Sequence, residues 1–253
     1  MNATFTGLEL RRVFRDYVTM FFVAVLPAFF YLIFGAAQTF GDQDAGNGNV
    51  TMYVMVSMAA YGAVTATSGI GGRAAVERMQ GWGRQLGLTP LPDSGFVLMK
   101  AAVAVIVAAI PITLIYLLGS LTGAEGTGGA WALSALVVLA GAAVFALYGL
   151  VFGLAFRSEA AVGAASGSLV ILAFMGNIFY PLSGTLLTMA KFTPLYGYVS
   201  LARYPLTEGY LVSTSNGPTT HEALWVPVLN VSVWAVIFSL LAIWLVRRGR
   251  SRQ

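Results

Sequence analysis

Residues 8–41 read LELRRVFRDYVTMFFVAVLPAFFYLIFGAAQTFG. The first nine carry five charges; from Tyr17 to Gly41 there is none. A helix needs about 20 apolar residues to cross a hydrocarbon core of about 30 Å, so the uncharged run predicts a membrane span. It is longer than the 7–15 residues usual for the apolar region of a signal peptide, so retention of the segment is expected. The preceding residues alternate with helical period. Leu10, Val13, Phe14, Tyr17 and Val18 share one face, and Glu9, Arg11, Arg12, Arg15 and Asp16 share the other. That pattern predicts an amphipathic helix over about 6–16, lying in the membrane interface. Thr6 followed by Glu9 fits a capping box at its start.

The same reading extends along the chain. Further uncharged runs cover residues 50–72, 101–122, 130–156, 160–183 and 225–246. The expected fold is therefore all-α, a polytopic membrane protein with six transmembrane helices. The whole composition agrees: 58% of the 253 residues are hydrophobic and 9% are charged, against about 25% charged in soluble domains.

Orientation follows from the basic residues. With the N-terminus inside, Arg11, Arg12, Arg15, Arg73, Arg78, Arg84, Lys100, Arg157, Arg247, Arg248, Arg250 and Arg252 all fall on the cytoplasmic side, leaving Lys191 and Arg203 outside. An excess of Lys and Arg inside is the established bias of membrane proteins, so both termini are expected to be cytoplasmic. Asp42, Asp44, Glu125, Glu208 and Glu222 then lie outside. The net charge of +4 is explained by this topology, and no nucleic-acid partner is expected.

Two connecting segments are informative. Residues 73–86 read as a short charged helix on the inner side, broken by Gly87 and by Pro90 and Pro92. Asp93 or Ser94 is placed to cap the next span. On the outer side, residues 182–204 are too apolar for an exposed loop. They predict short helices folded back into the outer leaflet, because irregular backbone at that depth must be shielded by protein.

Several chemistries lack their residues. The chain has no cysteine and a single histidine, His221, so thiol chemistry and multi-histidine metal sites are excluded. There is no phosphate-binding loop, no Gly-x-Ser-x-Gly elbow and no His-Glu-x-x-His motif. Ser68-Gly-Ile-Gly-Gly72 lacks the lysine of a phosphate loop and reads as a site of close helix packing. The spans hold essentially no Asp or Glu, which argues against an ion-coupled carrier. Asn177 is the most conspicuous polar residue in a span and suits a helix–helix hydrogen bond. Gly149-x-x-x-Gly153 and Gly163-x-x-x-Gly167 permit close helix approach. No catalytic or metal residue is expected, and any driving force must come from another subunit.

The residues resemble the membrane subunit of an ABC-2 type (type V) bacterial ABC exporter. Three regions carry the likeness: the amphipathic helix before span one, the segment from Glu77-Arg78-Met-Gln-Gly-Trp82-Gly-Arg84-Gln-Leu86 through Thr89-Pro90-Leu91 to Lys100, and Phe179-Tyr-Pro181 with Phe192-Thr-Pro194-Leu-Tyr196 and Arg203. Residues 182–190 depart from it by lacking the proline and tryptophan often found there. The resemblance implies a single transmembrane domain over residues 1–253, paired with a second copy or a paralogue in the bacterial inner membrane. It implies a separate ATP-binding cassette subunit, which would hold ATP and Mg, with no cofactor in this chain. Glu77, Arg78, Trp82, Arg84, Leu86, Arg11, Arg12 and Arg15 would couple to that subunit. Phe30, Phe34, Met55, Met58, Tyr61, Phe174, Asn177 and Phe179 would line a pathway for a hydrophobic or amphipathic cargo, such as a drug, an antibiotic or a lipid-like compound. Pro181, Pro194 and Tyr196 would belong to an outer gate. A permease for lipid-linked polysaccharide and a non-transporting membrane sensor or scaffold remain open as alternatives, while a lipid-modifying enzyme lacks the clustered acids or histidines it would need.

Overall fold

The computed structural model describes residues 3–77, 93–156, 160–211 and 220–250. Nine α-helices occur among them: α1 Ala3–Arg15, α2 Tyr17–Tyr31, α3 Val50–Glu77, α4 Asp93–Leu121, α5 Gly128–Phe156, α6 Ala160–Met175, α7 Gly184–Ala190, α8 Pro194–Thr207 and α9 Trp225–Arg250. A π-helical turn, Leu32–Ala36, extends α2. The chain is thus all-helical and polytopic. Five stretches are long and apolar enough to cross a membrane: Tyr17–Ala36, Val50–Glu77, Lys100–Leu121, Gly128–Phe156 and Trp225–Val246.

The centre of the bundle is α3. In its apolar window 83% of residues are buried, against 11% in α9, which places α3 at the core and α9 at the periphery. Its sequence explains this position, because Ala, Gly, Ser and Thr recur along it and let neighbouring backbones approach. A Cβ on Gly71 would run into the Ala146 carbonyl of α5. One on Gly149 would run into Ser68, and one on Gly153 into Gly72 and Ala75. The Ser68–Gly72 stretch and the Gly149/Gly153 pair are therefore the two sides of one close helix crossing. Gly62 faces Pro27 of α2 and Pro111 of α4. Gly163 and Gly167, by contrast, meet open space.

Three local expectations are corrected. The helix expected over 160–183 ends at Met175. Its 16 residues rise about 24 Å, short of a typical core. It stops because Asn177 adopts the left-handed conformation, φ 60°, which cannot continue a right-handed helix. The capping box also gives way: α1 begins at Ala3, so Thr6 lies inside the helix, and the Glu9 carboxylate pairs with Lys100 instead. Finally, Arg73–Glu77 form no separate helix but continue α3 beyond its apolar run. The rest of the expected 73–86 helix lies outside the described residues.

At the acid-bearing end of the bundle the connections lock together. Asn47 N–H donates to Leu206 O (2.7 Å), Thr127 N–H to Asn47 O (2.8 Å) and Asn49 N–H to Glu125 O (2.9 Å). The Asn49 side chain donates to Gly123 O and accepts from the Met52 and Glu125 amides. One asparagine side chain thereby satisfies two backbone groups of the loop before α5 and caps α3.

Candidate functional site

The basic end carries an ionic junction between three elements. Lys100, on α4, is buried and pairs with Glu9 of α1 and with Glu77 Oε2 at 2.6 Å. The other oxygen of Glu77 accepts from Arg12 Nη1 of α1, also at 2.6 Å. The last turn of α3 is thus clamped between α1 and α4. One turn earlier, Arg73 Nη1 lies 2.7 Å from Asp16 Oδ2, and Arg73 Nη2 donates to Thr19 Oγ1 at 2.5 Å. Asp16 caps α2, accepting from the Thr19 amide (3.1 Å) and hydroxyl (2.6 Å). Those two Thr19 bonds, helped by Arg73, lower the Asp16 carboxyl to about 2, against the opposing effect of burial. Asp16 therefore stays ionised in the folded chain, and its cap persists, until pH falls to about 2; the stability it contributes is full above the ordinary carboxylate range and is lost as pH falls toward that value.

Of the residues expected at this end, the junction unites Glu77 and Arg12. Arg11 and Arg15 are exposed and take no part in it among the described contacts. Arg78, Trp82, Arg84 and Leu86 lie outside the described residues. Glu9, Asp16, Arg73 and Lys100 were not singled out as site residues from sequence. Their signal was charge sign alone: Glu9 and Asp16 are acids in a basic helix, and Lys100 is a lone cation opening an apolar run.

Between α2, α3 and the end of α6 lies an aromatic cluster built around Phe179. Its ring centroid is 5.8 Å from Phe30, 6.2 Å from Phe34, 5.3 Å from Tyr61 and 5.1 Å from Phe174. Edge-on and tilted rings at these separations attract each other beyond their area burial. Phe34 and Phe174 also keep an exposed face, 41% and 56%, so the cluster reaches the surface of the chain. Met55 and Met58 are fully buried, Met55 against Gly119 of α4. Asn177 is buried and turns inward: its Oδ1 accepts from Leu182 N–H at 2.8 Å. It closes the turn after α6 and makes no side-chain bond across helices among those described.

The helices α7 and α8, joined by residues 191–193, lie at the acidic end. Thr193 caps α8, accepting from the Tyr196 amide at 3.4 Å, and Pro194 occupies the first turn, where its missing N–H costs nothing. Tyr196 is buried, with its hydroxyl 3.2 Å from both Glu222 oxygens, and Lys191 Nζ lies 3.0 Å from Glu222 Oε1. From α9, Asn230 donates to Lys191 O (2.7 Å) and Trp234 to Phe192 O (3.0 Å). Pro181 is half-buried in the turn before α7.

This arrangement defines a polytopic helical membrane protein with a polar clamp at one end and an aromatic cluster within it. No family model matches the sequence. The chain is 27% identical over 246 residues, 95% of its length, to a Bacillus subtilis (strain 168) protein named "Putative transport permease YvfS", of which the match covers 94%. A likeness spanning both chains end to end makes this protein a distant relative of one named a transport permease.

Proposed function

We propose that this chain is the membrane subunit of an ATP-driven exporter of the ABC-2 type. It moves a hydrophobic or amphipathic compound (drug, antibiotic or lipid-like) out of the cytoplasm or inner leaflet. A separate ATP-binding subunit powers it, and a second copy or a paralogue completes the pathway. The single observation that carries this reading is the junction of Glu9, Arg12, Glu77 and Lys100. It ties an amphipathic helix and the root of the 78–92 segment into one unit, at the end where the basic residues place the cytoplasm. A force applied there by a nucleotide-driven partner reaches α3, the core of the bundle. The aromatic cluster around Phe179 supplies an adaptable apolar wall for cargo. The end-to-end likeness to a protein named a permease supports transport as the purpose.

The test is transport itself. Proteoliposomes holding this chain with the ATP-binding subunit that co-purifies with it should move an amphipathic fluorescent dye only with ATP. ATP-independent vesicles, with no dye or lipid analogue moved, would reject the reading. The topology has its own check, made simple by the absence of native cysteine. A cysteine replacing Ser215 should react with an impermeant thiol reagent from outside the cell and one replacing Ser251 only from inside; the opposite pattern would reverse the orientation.

A further inference from the structure

Arg203, on α8, is buried with 4% of its surface exposed. Among the described residues no carboxylate lies within ion-pair distance of it. Its bonds go elsewhere. Nε donates to Ser57 Oγ of α3 at 2.8 Å, and Nη2 donates to the same oxygen at 2.5 Å and to the Asn177 carbonyl at 2.8 Å. The guanidinium carbon sits 4.0 Å from the centre of the Tyr53 ring, also on α3. Ser57 in turn donates to Tyr53 O at 2.5 Å, so its hydroxyl is satisfied on both sides. One planar cation thereby joins α8, the core helix and the turn that ends α6. Burying a charge with only neutral partners is costly, and it persists only where the surroundings fix it. The adjoining cleft, about 20 Å³, holds a water at most and no organic anion. The cation therefore serves position and not ligand binding.

What it positions follows from the turn. Asn177 has left-handed backbone, its carbonyl is held by Arg203, and its side chain holds Leu182 N–H. Phe179, the hub of the aromatic cluster, lies two residues on, inside the loop that those bonds close. We infer that Arg203 is a positioning residue that latches the Asn177 turn to α3 and so holds Phe179 in the cluster, linking α8 at the acidic end to the aromatic wall. Release of this latch frees the cluster without unfolding the bundle.

The test reads conformation alone and needs no transport, so its failure and that of the transport reading are distinguishable. A single cysteine is placed at Ile178, which is 5% exposed, or at Ala108, fully buried in α4 as a reference. Each is reacted with a small neutral maleimide in the intact chain. In the Arg203→Gln background the Ile178 cysteine should react faster by on the order of tenfold, as expected when charged hydrogen bonds no longer oppose local opening. The Ala108 cysteine should stay as protected as before, and Arg203→Lys should fall between, since an ammonium cannot reproduce the planar fork. If Arg203→Gln exposes both cysteines, the milder Ser57→Ala decides: faster labelling at Ile178 alone supports the latch, and no change there overturns it. Unchanged Ile178 labelling in Arg203→Gln likewise overturns it.

Discussion

Replacing Lys100 by Met is expected to destabilise the chain by about 3–5 kcal/mol, the usual cost of removing one partner from a buried ionic group. The side chain is 7% exposed and sits between Glu9 and Glu77, themselves 13% and 15% exposed. Without the ammonium, two largely buried carboxylates face each other with Arg12 as their counter-charge among the described residues. Arg12→Ala provides the contrast. That side chain is 62% exposed, and its loss should cost no more than about 1 kcal/mol. The combination Lys100→Met with Glu9→Gln and Glu77→Gln should recover most of the loss, because removing a whole buried ionic group is often neutral. Thermal unfolding midpoints in detergent would rank the three. A Lys100→Met midpoint equal to that of the parent would show that the junction bears no load.

The second large effect is steric. Gly71→Ala is expected to lower the unfolding midpoint markedly, whereas Gly69→Ala, two residues earlier on the same helix, should leave it unchanged or raise it. The same methyl group meets different surroundings. At Gly71 it collides with the Ala146 backbone carbonyl, which no rotamer change can move aside, while at Gly69 nothing lies within 4 Å. Forcing the α3–α5 crossing apart should cost about 1–3 kcal/mol or more. In an open helical position alanine gains up to about 1 kcal/mol over glycine. Equal midpoints for the two variants would refute the close crossing at the core of the fold.

Hydropathy made most of the helices legible, because lipid forces every backbone group in a span to pair within its own helix. The starts of α2, α3, α6 and α9 fall where the apolar runs begin. The amphipathic α1 and the two short helices within residues 184–207 are also readable, from period and from an apolar stretch without length for a span. Failures occurred where a distant partner overrode a local rule. Thr6 and Glu9 fit a capping box, yet Glu9 finds Lys100, 91 positions away, and α1 begins earlier. Asn177 sits in an apolar run and suggested a helix–helix bond, but its left-handed backbone ends α6. Arg203 reads as a basic residue on the outer side and as part of the family likeness, and neither reading shows that its burial depends on Ser57, 146 positions earlier. Hydropathy carries no information about which helix faces which. Phe30, Phe34, Tyr61, Phe174 and Phe179, which share in the sequence only their aromatic character, come together in one cluster. Met55 and Met58 instead face the interior of the bundle.

The proposal that an ATP-binding partner drives this chain is tested by purifying the chain gently from its native host and assaying ATPase activity in lipid. The expected result is a stoichiometric ATP-binding subunit whose hydrolysis rises with an amphipathic compound and loses that response in Lys100→Met. A chain that purifies alone, or a partner whose hydrolysis ignores both compound and mutation, would contradict it and favour a sensor or scaffold.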